Sequence, residues 1–341
     1  MISNVKKLVN RSADSRERMI WRMLVLIVFA LIALSGMVIG LMKGAVNVPA
    51  STIVQAIVTG GAGVQEQIIW NIRLPRILVG ALVGLNLALS GAILQAVMKN
   101  PLADPHIIGI SSGAGLAGII VLVLFPAMEF LLTPVAFVGA MASAALIYLL
   151  AWKGGIRPIR IVLAGVAVSA FLGSGISALM VLYSDRIHGA LMWMVGGLTA
   201  RSWPHVYIIL PYSISASLFA FWGAKRLNVL SLGDEVARGL GLKVEFTRLL
   251  MTAVAALLAA SAVSVVGLLG FVGLVVPHAA RLLVGADYRF LLPASALLGI
   301  GVVTLSDTLA RTLFSPLEIP VGILMAFIGA PFFLFLLRRE S

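Results

Sequence analysis

Apolar runs of about 20 residues recur from one end of this 341-residue sequence to the other. Each is long enough to cross about 30 Å of hydrocarbon as a helix rising 1.5 Å per residue. A backbone in lipid must satisfy its own hydrogen bonds, which leaves helices and closed barrels as the choices. Barrel strands alternate apolar and polar residues, and stretches such as ALLAASAVSVVGLLG (256–270) do not alternate. With 61% hydrophobic and only 11% charged residues, the composition leaves no room for a soluble domain. The fold class expected is an all-α polytopic membrane protein.

The absence of cysteine excludes disulfides, thiolate metal sites and thiol nucleophiles. A net charge of +12 could point to nucleic acid, but the basic residues are scattered at the ends of apolar runs rather than clustered with aromatics, so no nucleic-acid partner is expected. Basic residues ahead of the first apolar run look superficially like a secretory signal. That run, residues 20–42, is too long for a signal core and lacks an A-x-A-like cleavage site, so it is read as the first span.

Ten crossings are predicted, at residues 20–42, 77–98, 107–125, 130–152, 161–183, 204–224, 249–269, 271–285, 290–310 and 321–337. They form one membrane domain over 20–338, preceded by a cytoplasmic segment at 1–19. Residues 249–284 are too long for one span and short for two, and GLLGFVG (267–273) supplies a tight reversal between a full span and a short one. Lys and Arg accumulate in cytoplasmic loops. With the N-terminus inside, nineteen of the 25 basic residues fall on that side. Lys43, Arg73, Arg76, Arg186, Arg201 and Arg311 fall outside, and an even number of spans returns both termini to the cytoplasm. The outer face carries a short amphipathic run after Ser51, followed by loop residues, and a segment at 184–198 whose Trp193 is expected near the interface. Met192 and Met194 beside it are weaker candidates for haem contact.

The longest cytoplasmic connection, 225–248, contains LSLGDEVARGLGL (230–242). Ser231 followed by Asp234 fits a capping pattern, with Asp234 and Glu235 at the positive end of a short helix. Gly239 or Gly241 can end it. Leu232, Val236 and Leu240 recur every four residues as one apolar stripe, while Arg238 points elsewhere. Physics alone leaves two readings: a solvated turn packed on the bundle, or a plug for a cytoplasmic partner.

That stretch, with RLPR (73–76), NPLADP (100–105), GISSGAG (109–115), GFVGLVVPH (270–278) and LEIPVGILMAFIGAPFF (317–333), resembles the permease family of ABC importers for iron-siderophore complexes, haem and cobalamin. The matches run in order across nearly the whole chain. The resemblance implies a type II importer permease of about ten helices per subunit. It implies a homo- or heterodimer served by two cytoplasmic ATPases and an extracytoplasmic binding protein. Residues 225–248 would hold the coupling helix, with Ser231, Leu232, Gly233, Asp234, Glu235, Val236, Arg238, Gly239 and Gly241 at the ATPase. Arg73, Arg76 and Arg311 would dock acidic residues of the binding protein, and Asn100 and Leu102 would narrow the inner exit. Departures at Pro158 and Ile159, in the loop 154–160, leave a second gate open to question. Independently of the resemblance, no G-x-x-x-x-G-K-[ST] is present. The chain is therefore expected to bind no cofactor and no metal and to catalyse nothing itself, ATP and Mg being used by the partner ATPase.

Local alternatives exist for several of these residues. Arginines at span ends commonly snorkel to the interface, and Asn-Pro is a turn in any protein. Asp307, one turn before Arg311, is expected to pair with it. GISSG is formally a nucleophile elbow, but no strand precedes it, and its small residues suit close helix contact instead. His106, His188, His205 and His278 lie near span ends without clustering. A secondary transporter would need a mid-span ionisable residue, and Asp307, towards the outer end, is the one mid-span acid found. The expected cargo is an iron-siderophore complex, then haem, with cobalamin or an oxyanion behind.

Overall fold

The computed structural model describes residues 2–44, 47–59, 63–153 and 158–340. Among these residues every regular element is helical. The first third holds α1 (Ile2–Met42), α2 (Ala50–Thr59), α3 (Val64–Ile68), α4 (Leu74–Met98) and α5 (Ile110–Leu124). Next come α6 (Leu132–Ala151), α7 (Pro158–Leu182), α8 (Ile187–Val195), α9 (Trp203–Ser231) and the short α10 (Asp234–Gly239). The chain closes with α11 (Val244–Val266), α12 (Val272–Val284), α13 (Tyr288–Thr312) and α14 (Val321–Glu340).

Each of the ten predicted crossings coincides with an apolar helix. Seven helices among the described residues are long and apolar enough to cross a membrane, and three shorter apolar ones, Ile110–Leu124, Val272–Val284 and Val321–Leu334, occupy the remaining positions. Three boundaries differ from expectation. α1 runs unbroken through most of the predicted polar segment 1–19. The loop expected before RLPR is helical, so Val64–Met98 forms one 35-residue helix, about 52 Å long and overhanging the bilayer. A π-helical turn, Ile69–Arg73, interrupts it. The cause is Pro75, which has no N–H to give and whose ring would collide with the carbonyl four residues back. Finally, α9 extends to Ser231, past its predicted end, because nothing in KRLNVLS breaks a helix before Gly233.

α4 is the axis of the fold and packs against α9, α11, α12 and α13. Small residues permit the approach. A Cβ on Gly84 would lie 2.2 Å from the carbonyl oxygen of Gly299 in α13, and one on Gly91 would lie 1.8 Å from that of Gly273 in α12. Polar side chains then tie the helices where no water can. Asn86 Nδ2 donates to Ser213 Oγ of α9 at 2.8 Å and to Ser261 Oγ of α11 at 3.0 Å. Ser90 Oγ donates to the Ala255 carbonyl at 2.7 Å, and Arg281 Nη2 to Gln95 Oε1 at 2.8 Å.

The chain breaks between α11 and α12 where GLLGFVG predicts, but both helices pack on α4 rather than along each other. Residues 100–109 also differ from a simple end-of-span turn. A Cβ on Gly273 would meet Pro105 Cδ at 2.8 Å, Asp104 Oδ2 at 3.1 Å and the Leu87 carbonyl at 3.1 Å. Leu87 lies about 18 Å from the Lys99 end of α4 at 1.5 Å per residue. NPLADP therefore turns back into the bundle, and α5, only 15 residues long, starts at half depth. Gly113 there packs against Gly139 and Ser143 of α6, the close contact its small-residue motif predicts.

Candidate functional site

The bundle has two chemically distinct ends. At one, α9 stops and α10 begins. Gly233 sits at φ +112°, a backbone conformation that side chains avoid, and α10 starts immediately after it. The expected Ser231 cap is corrected by this geometry. Ser231 is the last residue of α9 and its Oγ donates to the Asn228 carbonyl at 2.7 Å, so it caps nothing in α10. Asp234 and Glu235 do occupy the first turn of α10, as expected from the dipole. At the other end of α10, Gly241 in the left-handed region donates N–H to Arg238 O at 2.9 Å. Leu242 N–H bonds to Ala237 O at 3.0 Å, which closes a Schellman motif.

α10 is held by two contacts. Ala237 is fully buried against the bundle. The Asp234 carboxylate accepts from Lys99 Nζ and from Arg248 Nη2, the latter at 3.0 and 3.2 Å. Burial alone would raise the Asp234 pKa, but the hydrogen bonds from Lys99 and Arg248 outweigh it and hold the carboxyl below its ordinary value. Arg238 turns outward to an exposed pair with Glu245 at 2.7 Å. The predicted apolar stripe is corrected: only Val236 lies within α10, Leu232 precedes the break at Gly233 and Leu240 follows the helix. All three are nonetheless exposed, Leu232 at 59%, Val236 at 51% and Leu240 at 63%. In the sequence Lys99 and Arg248 are two of the nineteen basic residues expected on the cytoplasmic side. Nothing in their spacing signals that they meet Asp234.

Lys99 also joins α10 to the turn where α4 ends. It adopts a left-handed conformation and is followed by Asn100, whose Oδ1 accepts the Leu102 N–H at 2.9 Å. The Asn100 side chain thus shapes its own turn, and Leu102 beside it is half-buried. Of the loop proposed as a second gate, residues 154–157 lie outside the described residues, and Ile159 is exposed. Where the re-entrant turn reaches half depth, a cavity of 700 Å³ opens, lined by Asp104, His106, Phe271, Leu274 and Phe327 among others. Asp104 Oδ1 caps that turn by accepting the His106 N–H at 2.9 Å. Met194 borders the same cavity, whereas Trp193 is buried against Gly118 rather than lying at an interface.

At the opposite end the three predicted arginines come together, but none projects freely outward. Arg76 is bidentate to Asp307, with Nε 3.0 Å from Oδ2 and Nη2 2.9 Å from Oδ1, and its Nη1 donates to Glu318 Oε2 at 2.9 Å. Arg311 Nε stands 3.3 Å from Asp307 Oδ2, the expected pair, and its Nη2 donates to the Gly40 carbonyl at 3.1 Å. Arg73 Nη1 donates to the carbonyls of Leu41 and Met42 at 2.7 and 3.1 Å. Arg73 and Arg311 therefore satisfy the last carbonyls of α1, groups that a helix end leaves without partners. All three are at most 7% exposed, while the Glu318 side chain is 41% exposed. The missed residue here is Glu318, which the LEIP motif contains but whose partner lies 242 positions away.

No catalytic constellation forms from GISSG. Gly109 caps a helix, and among the described residues the buried Ser111 hydroxyl meets no hydrogen-bond partner that could act as its base. His205 is taken up by its own helix start, its Nδ1 accepting the Ser202 N–H at 3.2 Å.

Residues 23–339 match the FecCD transport family. The Fe(3+)-citrate import system permease protein YfmE of Bacillus subtilis is 40% identical over 84% of this chain and 87% of its own length. The cobalamin import system permease protein BtuC of Halobacterium salinarum is 42% identical over 88% and 81%. The hemin transport system permease protein HmuU of Yersinia pestis is 40% identical over 80% and 84%. A solved structure described as an inward-facing metal-chelate type ABC transporter superposes with a TM-score of 0.82 at 31% identity, covering 92% of this chain and 99% of that one. Motif order, helix arrangement and near-complete alignment agree: the chain belongs to the FecCD transport family.

Proposed function

We propose that this multi-pass membrane protein is the permease subunit of an ATP-driven importer whose α10 end faces the cytoplasm and whose Arg76 end faces outward. The observation that carries the reading is α10 itself. It is a helix of six residues that, with its flanks, leaves Leu232, Val236 and Leu240 exposed while its acid end is bolted to α4 and α11. Exposed apolar residues on an ordered helix rimmed by charge suit a partner's groove. The partner is an ATPase supplying nucleotide and Mg chemistry that this chain lacks. Force applied to α10 passes through Asp234 to Lys99 and so to Asn100 and Leu102, which act as the inner gate.

A second permease subunit completes the pathway, and cargo crosses between the two. Relatives named for ferric citrate and hemin support an iron(III) chelate or haem as cargo, delivered by an extracytoplasmic binding protein. Docking at the outer end draws on three guanidiniums, two of which share the Asp307 carboxylate. Arg73, Arg76 and Arg311 act from beneath the surface and exposed Glu318 is the group an incoming acid would displace.

The test is copurification of the tagged chain in mild detergent with the candidate ATPase, using wild type and Val236→Asp. Wild type should retain the ATPase in stoichiometric amount and the variant should lose it at unchanged thermal stability. A wild-type chain that moves solute on an ion gradient without any ATPase would overturn the proposal in favour of secondary transport.

A further inference from the structure

A second cavity, of 680 Å³, opens between α9 and α13 at the α10 end, lined by Phe221, Trp222, Lys225, Arg226, Tyr288 and Arg289 among others. It lies level with a membrane boundary. Exposed tryptophans mark that level on three helices: Trp21 on α1, Trp152 at the end of α6 and Trp222 on α9.

The three cations of this cavity have donors to spare. Arg226 stacks on Trp222, its guanidinium carbon 3.6 Å from the ring centroid. Stacking uses the face of the guanidinium and leaves the in-plane N–H groups open. Among the described residues neither Lys225 nor Arg226 meets a carboxylate. Arg289 gives Nε and Nη2 to Asp287 at 3.0 and 2.6 Å, and Nη1 stays uncommitted. Asp287 cannot neutralise the others, because it also accepts from Asn228 Nδ2 at 2.7 Å and stands 3.8 Å from Arg22. Above the cavity, Leu218, Phe219 and Trp222 continue along α9 as an exposed apolar track. A ligand matching these features carries an anionic head and an apolar tail.

We propose that this cavity binds an anionic phospholipid of the leaflet on the α10 side, its phosphate held by Lys225, Arg226 and Arg289 and its acyl chain lying along α9. Such a lipid would brace the junction of α9 and α13 immediately beside the coupling helix.

The experiment is native mass spectrometry of the full-length chain copurified with its partner subunits, equilibrated with phosphatidylglycerol or phosphatidylcholine. Wild type should retain phosphatidylglycerol preferentially, and Lys225→Gln with Arg226→Gln should weaken that retention roughly tenfold while the assembly and its melting temperature persist. Lys225→Gln alone, at an exposed position, guards against misfolding of the double variant and should give a smaller loss in the same direction. Equal retention of the two lipids, or unchanged retention in both variants, would overturn the proposal. So would displacement of the lipid by millimolar inorganic phosphate alone, which would reassign the site to a soluble anion.

Discussion

The two ends of the bundle handle charge in opposite ways. Around Arg76, ions are sealed in: the arginines and Asp307 are buried, paired across α4 and α13, and used to finish α1. Around α10, Asp234 and Lys99 are partly exposed, Asp234 reaches inward to the buried Arg248, and apolar side chains are left outside. A sealed network resists movement, because separating its partners leaves a bare charge out of water. The Lys99 side of the Asp234 tether can shift with little penalty, because water replaces what it loses, while the buried Arg248 keeps hold of the other side. The Arg76 end is a fixed frame and the α10 end the more movable joint.

Removing Asp307 breaks the frame. Asp307→Ala strands Arg76 and Arg311, and a loss of about 3–5 kcal/mol is expected, read as a collapse of thermal stability in detergent. Stability near wild type would mean that the network is not sealed. At the joint the effect should move from stability to binding. Val236→Asp puts a charge in the exposed stripe and should weaken ATPase association about tenfold or more, with the melting temperature unaltered. A destabilised variant would show that the stripe packs within this chain.

Smaller still is Asp234→Asn, which keeps the shape of the side chain and removes its charge. Transport per ATP hydrolysed should fall about two- to fivefold while the ATPase still binds, because the amide can still accept from the buried Arg248 and the part-exposed Lys99 pair is worth about 1 kcal/mol or less. Full retention of coupling would assign the tether to Ala237 alone. The smallest effect expected is none. Because the folded Asp234 carboxyl titrates below its ordinary value of 3.8, its contribution is complete above that value and disappears only as pH falls through the depressed one. Coupling measured at about pH 5 and about pH 7.5 should therefore show no Asp234-dependent difference. A difference abolished by Asp234→Asn would contradict the ionic tether.

Much of the fold was legible because its signals are local. Each crossing announces itself as an apolar run, the first turn of α10 as the acidic pair Asp234 and Glu235, and the break before α12 as a glycine cluster. The errors were local as well, and each came from a competing local rule. Ser231 matched a capping pattern, but α9 had no reason to stop before Gly233, and continuing a helix adds a hydrogen bond per residue. The predicted loop before RLPR became helix because a π-helical turn absorbs Pro75. NPLADP read as a turn and is one, but its depth depends on α12, where Gly273 leaves room for Pro105.

By itself the sequence determined the class of molecule and the number and order of its apolar crossings. Hydrophobic length and periodicity are properties of neighbours in the chain. Only the tertiary structure decided that Arg76 belongs to Asp307 and Glu318, and that Asp234 belongs to Lys99 and Arg248. It also decided that Arg73, Arg76 and Arg311 lie beneath the surface. Those pairings join residues far apart along the chain, and a charge in or near lipid takes whichever opposite charge the packed helices bring within reach.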